Sequence, residues 1–220
     1  MYHTIFFDLD GTLTDSSEGI FNCFHYALDC MGAPPLPQGE EFQIIGPPLE
    51  DSFARLCGFS PEDCTKALGF FRQRYRTEGC REVKIVPGMK EALQELRAAG
   101  LRLAVASSKE ERGCHLVLEA LGIHDCFDCI AGHNVTLAST KEAVIRSAMA
   151  QMGLPDAAGV LMVGDRKYDA IGAAAVGMDC LGVDFCGFAP EGELKAYGVH
   201  TVVSTTREMT DYILAHSERA

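Results

Sequence analysis

Thr4-Ile5-Phe6-Phe7-Asp8-Leu9-Asp10-Gly11-Thr12 is the stretch on which the reading of this chain turns. A short aliphatic and aromatic run ends abruptly in two acids and a glycine. A run of that kind over residues 4–9 reads as a strand buried on both faces, which belongs in a parallel sheet covered by helices. The carboxyl end of such a strand is where an open parallel sheet binds ligands. Carboxylates two apart point to opposite faces of a continuing strand, but Gly11 lets the chain turn, so Asp8 and Asp10 are expected to converge on one centre. Converging carboxylates repel, and a hard divalent cation with oxygen ligands, Mg2+ above all, relieves them. A calcium loop of the helix–loop–helix kind is excluded, because a strand precedes the acids and the further oxygen ligands are missing. The plain alternative is an acidic turn bent at Gly11.

Outward from this stretch, the chain alternates. After Pro87-Gly88 come a helix over 89–99, a strand over 101–106, a helix over 109–121 and a strand over 127–131. A helix over 141–152, a strand over 160–163, a helix over 168–176, a strand over 179–183 and a last helix over 208–216 follow. Gly100, Gly122, Gly153 and Gly177 close the first four of these helices. Alternation of this kind predicts an α/β fold: a Rossmann-like parallel sheet with helices on both faces. No strand pattern interrupts residues 16–81. Ser16 reads as the cap of a helix that ends at Gly32 and the prolines beyond it; residues 38–81 look helical, with a turn at Ile45-Gly46-Pro47-Pro48 and a capped start at Ser60-Pro61. The expected organisation is an α/β core from residues 1–15 and 82–220, with an all-helical domain, residues 16–81, inserted after the first strand.

Composition narrows the function. The 220 residues carry 19 Lys+Arg against 31 Asp+Glu, a net charge of −12. No basic footprint is present, which argues against nucleic acid and against an anionic membrane surface, while a locally positive pocket for a small anion stays open. No apolar run is long enough to span a membrane, and Asp8 and Asp10 interrupt the only apolar start, so no signal peptide is read. The ten cysteines are therefore read as reduced, mostly buried thiols of a cytoplasmic protein. Cys126-Phe127-Asp128-Cys129 lacks the second ligand pair of a zinc site and sits where a strand is expected, so both thiols are assigned to the core.

Three further clusters fall at the ends of strands or the starts of helices. Gly164-Asp165-Arg166-Lys167-Tyr168-Asp169 follows the strand 160–163; Asp165 either completes a metal site with Asp8 and Asp10 or caps the next helix, and Asp169 lies four residues on, facing the same way. Ser107-Ser108-Lys109 follows the strand 101–106, where a hydroxyl and backbone N–H groups at a helix start hold phosphate oxygens or merely cap. Ser139-Thr140-Lys141-Glu142 opens a helix with a lysine opposing its dipole, which points either to neutralising an anion or to a solvated side chain.

Taken together, Asp8-Leu9-Asp10-Gly11-Thr12-Leu13-Thr14-Asp15, Ser107, Lys141 and Gly164-Asp165-Arg166 with Asp169 resemble the haloacid dehalogenase superfamily over essentially the whole chain, in its phosphoglycolate phosphatase-like and 5′-nucleotidase-like branch. The resemblance implies that 16–81 is a helical cap and that the protein is a Mg2+-dependent phosphatase of small phosphate monoesters such as phosphoglycolate or a nucleoside monophosphate. It implies Asp8 as nucleophile, forming an aspartyl-phosphate, and Asp10 as acid and base. Metal is expected at Asp8, Asp10 (through its backbone carbonyl), Asp165 and, as an outer ligand, Asp169. Ser107 and Lys141 are expected to hold and offset the phosphoryl group; Thr12, Ser108 and Gly46 complete the expected substrate contacts, Gly46 from a stiff loop that sets specificity. Asp10 argues against dehalogenation, since a halide leaves without a proton. The loop Ile44-Ile45-Gly46-Pro47-Pro48-Leu49 has no arginine, which favours hydrolysis over the alternative, a phosphosugar mutase of the β-phosphoglucomutase type, for which Arg72, Arg74 or Arg76 would have to substitute from another helix; a non-catalytic metabolite-binding member is the remaining class. A monomer or weak homodimer is expected.

Overall fold

A computed structural model describes residues 1–37, 39–134 and 140–217. In chain order its elements are β1 (Thr4–Phe7), β2 (Thr14–Asp15), α1 (Ser17–Met31), α2 (Leu49–Cys57), α3 (Pro61–Thr77), β3 (Lys84–Ile85), α4 (Met89–Ala98), β4 (Arg102–Glu110), α5 (Glu111–Ala120), β5 (Cys129–His133), α6 (Lys141–Gln151), β6 (Val160–Gly164), α7 (Lys167–Ala175), β7 (Asp179–Val183), α8 (Glu193–Ala196), β8 (Val202–Val203) and α9 (Thr206–Ala215). Single 3-10 turns occupy Glu41–Ile44, Gly79–Arg81 and His124–Cys126.

Two compact units divide the chain: Met1–Asp15 with Ile85–Ala220, and Ser16–Lys84. The second boundary falls three residues beyond the one expected from the sequence. Glu82 explains the difference: it takes a two-pronged ion pair from Arg74 at 2.8 and 2.9 Å, and its carbonyl accepts from the Gly19 N–H. Both partners are helical residues of the 16–84 unit, so the chain stays with that unit until Lys84.

The first unit is a six-stranded sheet of order β5-β4-β1-β6-β7-β8 in which every pair is parallel. β1 lies in the middle because its four residues, Thr4-Ile5-Phe6-Phe7, are all buried. Phe6, Ala104, Ala106 and Met162 pack with Ile145 and Met149 of α6 and Ala173 of α7. The alternate residues Ile5, Phe7, Leu103, Val105, Leu161 and Val163 are equally buried, so both faces are covered. Burial on both faces is what continuous apolar strands signify. Register then aligns the motifs: Phe7 stands opposite Val105 and opposite Val163. Asp8 therefore leaves the sheet beside Ser107 and Asp165 at one edge. A two-stranded sheet pairs β2 with β3.

Several local expectations are corrected. β1 stops at Phe7, because the Leu9 carbonyl accepts from Leu13 and Thr14 N–H groups and curls the chain. β4 does not end at residue 106: it continues to Glu110 across a register shift, where Glu110 pairs with His133. The next helix starts at Glu111 rather than Lys109, which moves Ser107 and Ser108 out of any helix N-terminus. Gly132 of β5 permits this approach, since a Cβ there would stand 2.3 Å from Glu111 Cα and 2.7 Å from the Lys109 carbonyl oxygen. β5 itself begins at Cys129 because 124–126 turn first. α8 and β8 were not expected; both are too short for a periodicity signal.

The 16–84 unit is helical. α1 packs on α3, and Phe24 stacks on Phe53 of α2 at 4.2 Å between ring centroids. Ser60 caps α3 by accepting from the Asp63 N–H, with Pro61 at the first helical position. Ser16 occupies the cap position of α1, but its hydroxyl makes no capping bond and is buried without a hydrogen-bond partner. Gly46, at φ +103°, lies in this unit.

Candidate active site

Two strand ends and two helix starts build a carboxylate-rich centre in the first unit. Asp8 follows β1 directly, its N–H still donating to the Val163 carbonyl. Asp165 follows β6 and is buried. Asp169 sits in the first turn of α7, its Oδ2 accepting from the Arg166 N–H at 3.0 Å. Asp169, not Asp165, thus satisfies the open donor at this helix start, which leaves Asp165 for the site. Carboxylate oxygens of Asp8, Asp165 and Asp169 lie within 4.8 Å of one another.

One cation is placed among them. Lys141, the first residue of α6, reaches Asp8 Oδ1 at 2.8 Å and Asp169 Oδ1 at 2.6 Å with its side chain only 3% exposed. It is no solvated lysine; Thr140 caps the helix, and the dipole cost of a cation at this end is offset by two carboxylates. Ser139 lies outside the described residues. Burial pushes the Lys141 ammonium down, but Asp169 and Asp8 outweigh it and hold the pKa above the ordinary value.

Three carboxylates crowd a buried place where the Lys141 ammonium pairs with only Asp8 and Asp169, and the Arg166 guanidinium is the cation that pulls on Asp165. Burial raises Asp165 well above the carboxylate range, with Asp169 and Asp8 adding to the rise. Burial also carries Asp169 up to about 6, against the pull of Lys141 and with the push of Asp8. Thr12 donates its hydroxyl to Asp165 Oδ1 at 3.1 Å, whereas Asp165 Oδ2 is buried with no hydrogen-bond partner. A buried acceptor left open is costly. Oxygen donors alone, crowded and under-neutralised, fit a hard divalent cation such as Mg2+. Gly11 makes room for this arrangement: at φ +87° its missing Cβ would fall 2.2 Å from Asp165 Oδ2.

Asp10 departs from expectation. Its carboxylate does not join the other three; Oδ2 lies 2.7 Å from Lys109 Nζ, and Oδ1 is buried with no hydrogen-bond partner. The turn at Gly11 sends Asp8 and Asp10 to different lysines rather than to one centre. Lys109 was not singled out from the sequence. Only the continuation of β4 past Ser107 brings it there, and nothing in Ser-Ser-Lys signals that continuation. Ser107 is buried, its Oγ accepting from the Lys109 N–H at 3.3 Å, while Ser108 is exposed. Thr12 serves Asp165 with its hydroxyl. Cys126 and Cys129 are free, with thiols pushed up by burial. Among the described residues no group of three that includes a cysteine or histidine has metal-site geometry.

A family model described as haloacid dehalogenase-like hydrolase matches residues 5–183. The chain is 40% identical over 178 residues to tyrosine-protein kinase PtkA of Mycobacterium tuberculosis, covering 80% of this chain and spanning about 60% of that protein's length. It is 37% identical over 199 residues to a 5′-nucleotidase of Pseudomonas aeruginosa, covering 89% of this chain and 88% of that one. Among solved structures, a predicted phosphatase from Clostridium acetobutylicum superposes with a TM-score of 0.91 at 34% identity, over 98% of this chain and 99% of that one. No described helix is long and apolar enough to cross a membrane.

Proposed function

The chain belongs to the haloacid dehalogenase-like hydrolase family, and from that premise we propose that it is a Mg2+-dependent phosphatase of small-molecule phosphate monoesters. The observation that carries the reading is the pairing of Asp8 with a buried lysine beside two further buried carboxylates, at the sheet edge where Ser107 also lies. A carboxylate so placed is a nucleophile held in place by an ion pair. Mg2+, when bound, would be held by Asp8, Asp165 and Asp169 and would supply the charge neutralisation that lets an anionic nucleophile meet an anionic phosphate.

An Asp8 carboxylate oxygen attacks phosphorus, and the bond from phosphorus to the ester oxygen breaks. The departing oxygen takes its electron pair and a proton from Asp10. Water then attacks the aspartyl-phosphate, gives its proton back to Asp10, and releases phosphate and free Asp8. Ser107 hydrogen-bonds the phosphoryl oxygens, and Lys141 offsets the charge that builds on them. Arg55, the arginine nearest the Gly46 loop in sequence, donates to the side chain and carbonyl of Gln43, which supports hydrolysis over a mutase that needs an arginine for a second phosphate. The 16–84 unit, with the loop around Gly46, is assigned the selection of the ester. The near full-length likeness to a 5′-nucleotidase puts nucleoside monophosphates first among the candidates, with phosphoglycolate beside them.

The test is phosphate release by the purified protein from nucleoside monophosphates, phosphoglycolate, sugar phosphates and pyrophosphate, with Mg2+ and with chelator. Mg2+-dependent release that Asp8→Asn abolishes supports the reading. Release that survives Asp8→Asn removes the covalent step, and silence of the folded wild-type protein across the panel removes the phosphatase.

A further inference from the structure

We propose that Lys109 is a positioning residue for proton transfer: it clamps one oxygen of Asp10, so that the other oxygen faces the departing ester oxygen. The assignment rests on the phosphatase reading above and adds to it a residue for which that reading has no role. Lys109 Nζ stands 2.7 Å from Asp10 Oδ2, and the two side chains are only 10% and 18% exposed. Asp10 Oδ1 is buried and has no hydrogen-bond partner. A carboxylate anchored through one oxygen and open at the other is oriented for transfer from the open one.

The backbone that carries Lys109 is held independently of this pair. Lys109 N–H donates to Ser107 Oγ, Glu110 pairs with His133 across the register shift of β4, and the bare Cα of Gly132 lets β5 press against the Lys109 carbonyl. Lys141 does not duplicate the clamp, because its ammonium is taken by Asp8 and Asp169. Two lysines, Lys141 buried and Lys109 half-buried, therefore divide the work, one at the nucleophile and one at the acid.

A residue that acts through the acid matters most when the leaving group needs a proton. We would measure Lys109→Met, Lys109→Arg, Asp10→Ala and the double variant Asp10→Ala with Lys109→Met, all with Mg2+ and with folding checked by melting temperature. The probes are phosphoglycolate, whose alkoxide leaves poorly, and p-nitrophenyl phosphate, whose phenolate leaves unaided. Lys109→Met is expected to lose about 30- to 100-fold in the single-turnover rate of Asp8 phosphorylation by phosphoglycolate, within the range general acids supply. KM should move little, p-nitrophenyl phosphate should lose less than about tenfold, and Lys109→Arg should recover most of the activity. In the Asp10→Ala background the further substitution should cost nothing on p-nitrophenyl phosphate, since residues acting as one unit are not additive. Equal losses on both probes in the single-turnover phosphorylation of Asp8, or the same factor in both backgrounds, would overturn the clamp and make Lys109 a contact of the phosphate itself. A wild-type protein inactive on both probes would instead overturn the phosphatase reading, and the clamp with it.

Discussion

The Lys141 ammonium and the Asp169 carboxylate meet at 2.6 Å inside the protein, both almost fully out of water. A pair of this kind does more by being intact than by its net attraction, because removing one partner strands the other. Here the stranding is compounded, since Asp8 shares the same ammonium.

Lys141→Met is therefore expected to destabilise the metal-free protein by about 3–5 kcal/mol. Denaturant unfolding in chelator checks this. Added Mg2+ should restore part of the loss, because it replaces the missing positive charge and binds only the folded state. No restoration would detach the carboxylate cluster from metal binding.

Asp165→Asn is expected to act in the opposite direction on stability while abolishing Mg2+-dependent turnover. Asparagine keeps an oxygen for Thr12 and removes a buried charge that Asp169 and Asp8 repel. The sign with pH follows from the raised folded pKa of Asp165. Between the ordinary carboxylate range and the raised value, the folded state binds a proton that the unfolded state releases, so stability falls as pH rises through that window. The gain from Asp165→Asn in chelator should be larger at pH 8 than at pH 4, and a gain that does not change with pH would show that the carboxyl is not strained by its neighbours. The melting shift produced by Mg2+ should disappear in this variant.

Gly11→Ala tests the close approach beneath Asp165. A Cβ at φ +87° is strained in itself, and here it also strikes Asp165 Oδ2. The expected cost is about 2 kcal/mol or more, with loss of the Mg2+-induced melting shift, read by calorimetry with and without the ion. Retention of both stability and shift would mean that the turn relaxes without moving Asp165.

The loop around Gly46 is tested best at Pro47, because any side chain at Gly46 is strained by its φ of +103°. Pro47→Ala is expected to lower kcat/KM on the preferred ester about tenfold, the scale of a modest misplacement, and to leave p-nitrophenyl phosphate nearly unchanged. Wild-type kinetics on both would exclude the loop from substrate selection.

Much of this protein was legible without coordinates because its decisive signals are local. A strand buried on both faces needs a continuous apolar run, and Thr4-Ile5-Phe6-Phe7 supplies one. A chain leaving that strand into a ligand-binding edge needs acid and glycine, and Asp8 to Gly11 supply them. The α/β alternation, the helical insertion after the first strand and the family likeness all follow from such stretches. The tertiary structure alone decided which charged groups meet. Asp8 and Asp10 are two residues apart, yet they pair with Lys141 and Lys109, residues whose positions depend on how β4, β5 and α6 stack beside β1. The extension of β4 to Glu110 arises from its pairing with β5 and the bare Cα of Gly132, and no periodicity within residues 101–110 contains that information. Sequence determined the residue types and the order of the strand ends; register between strands distant in the chain determined the distances, and with them the division of two carboxylates between two lysines.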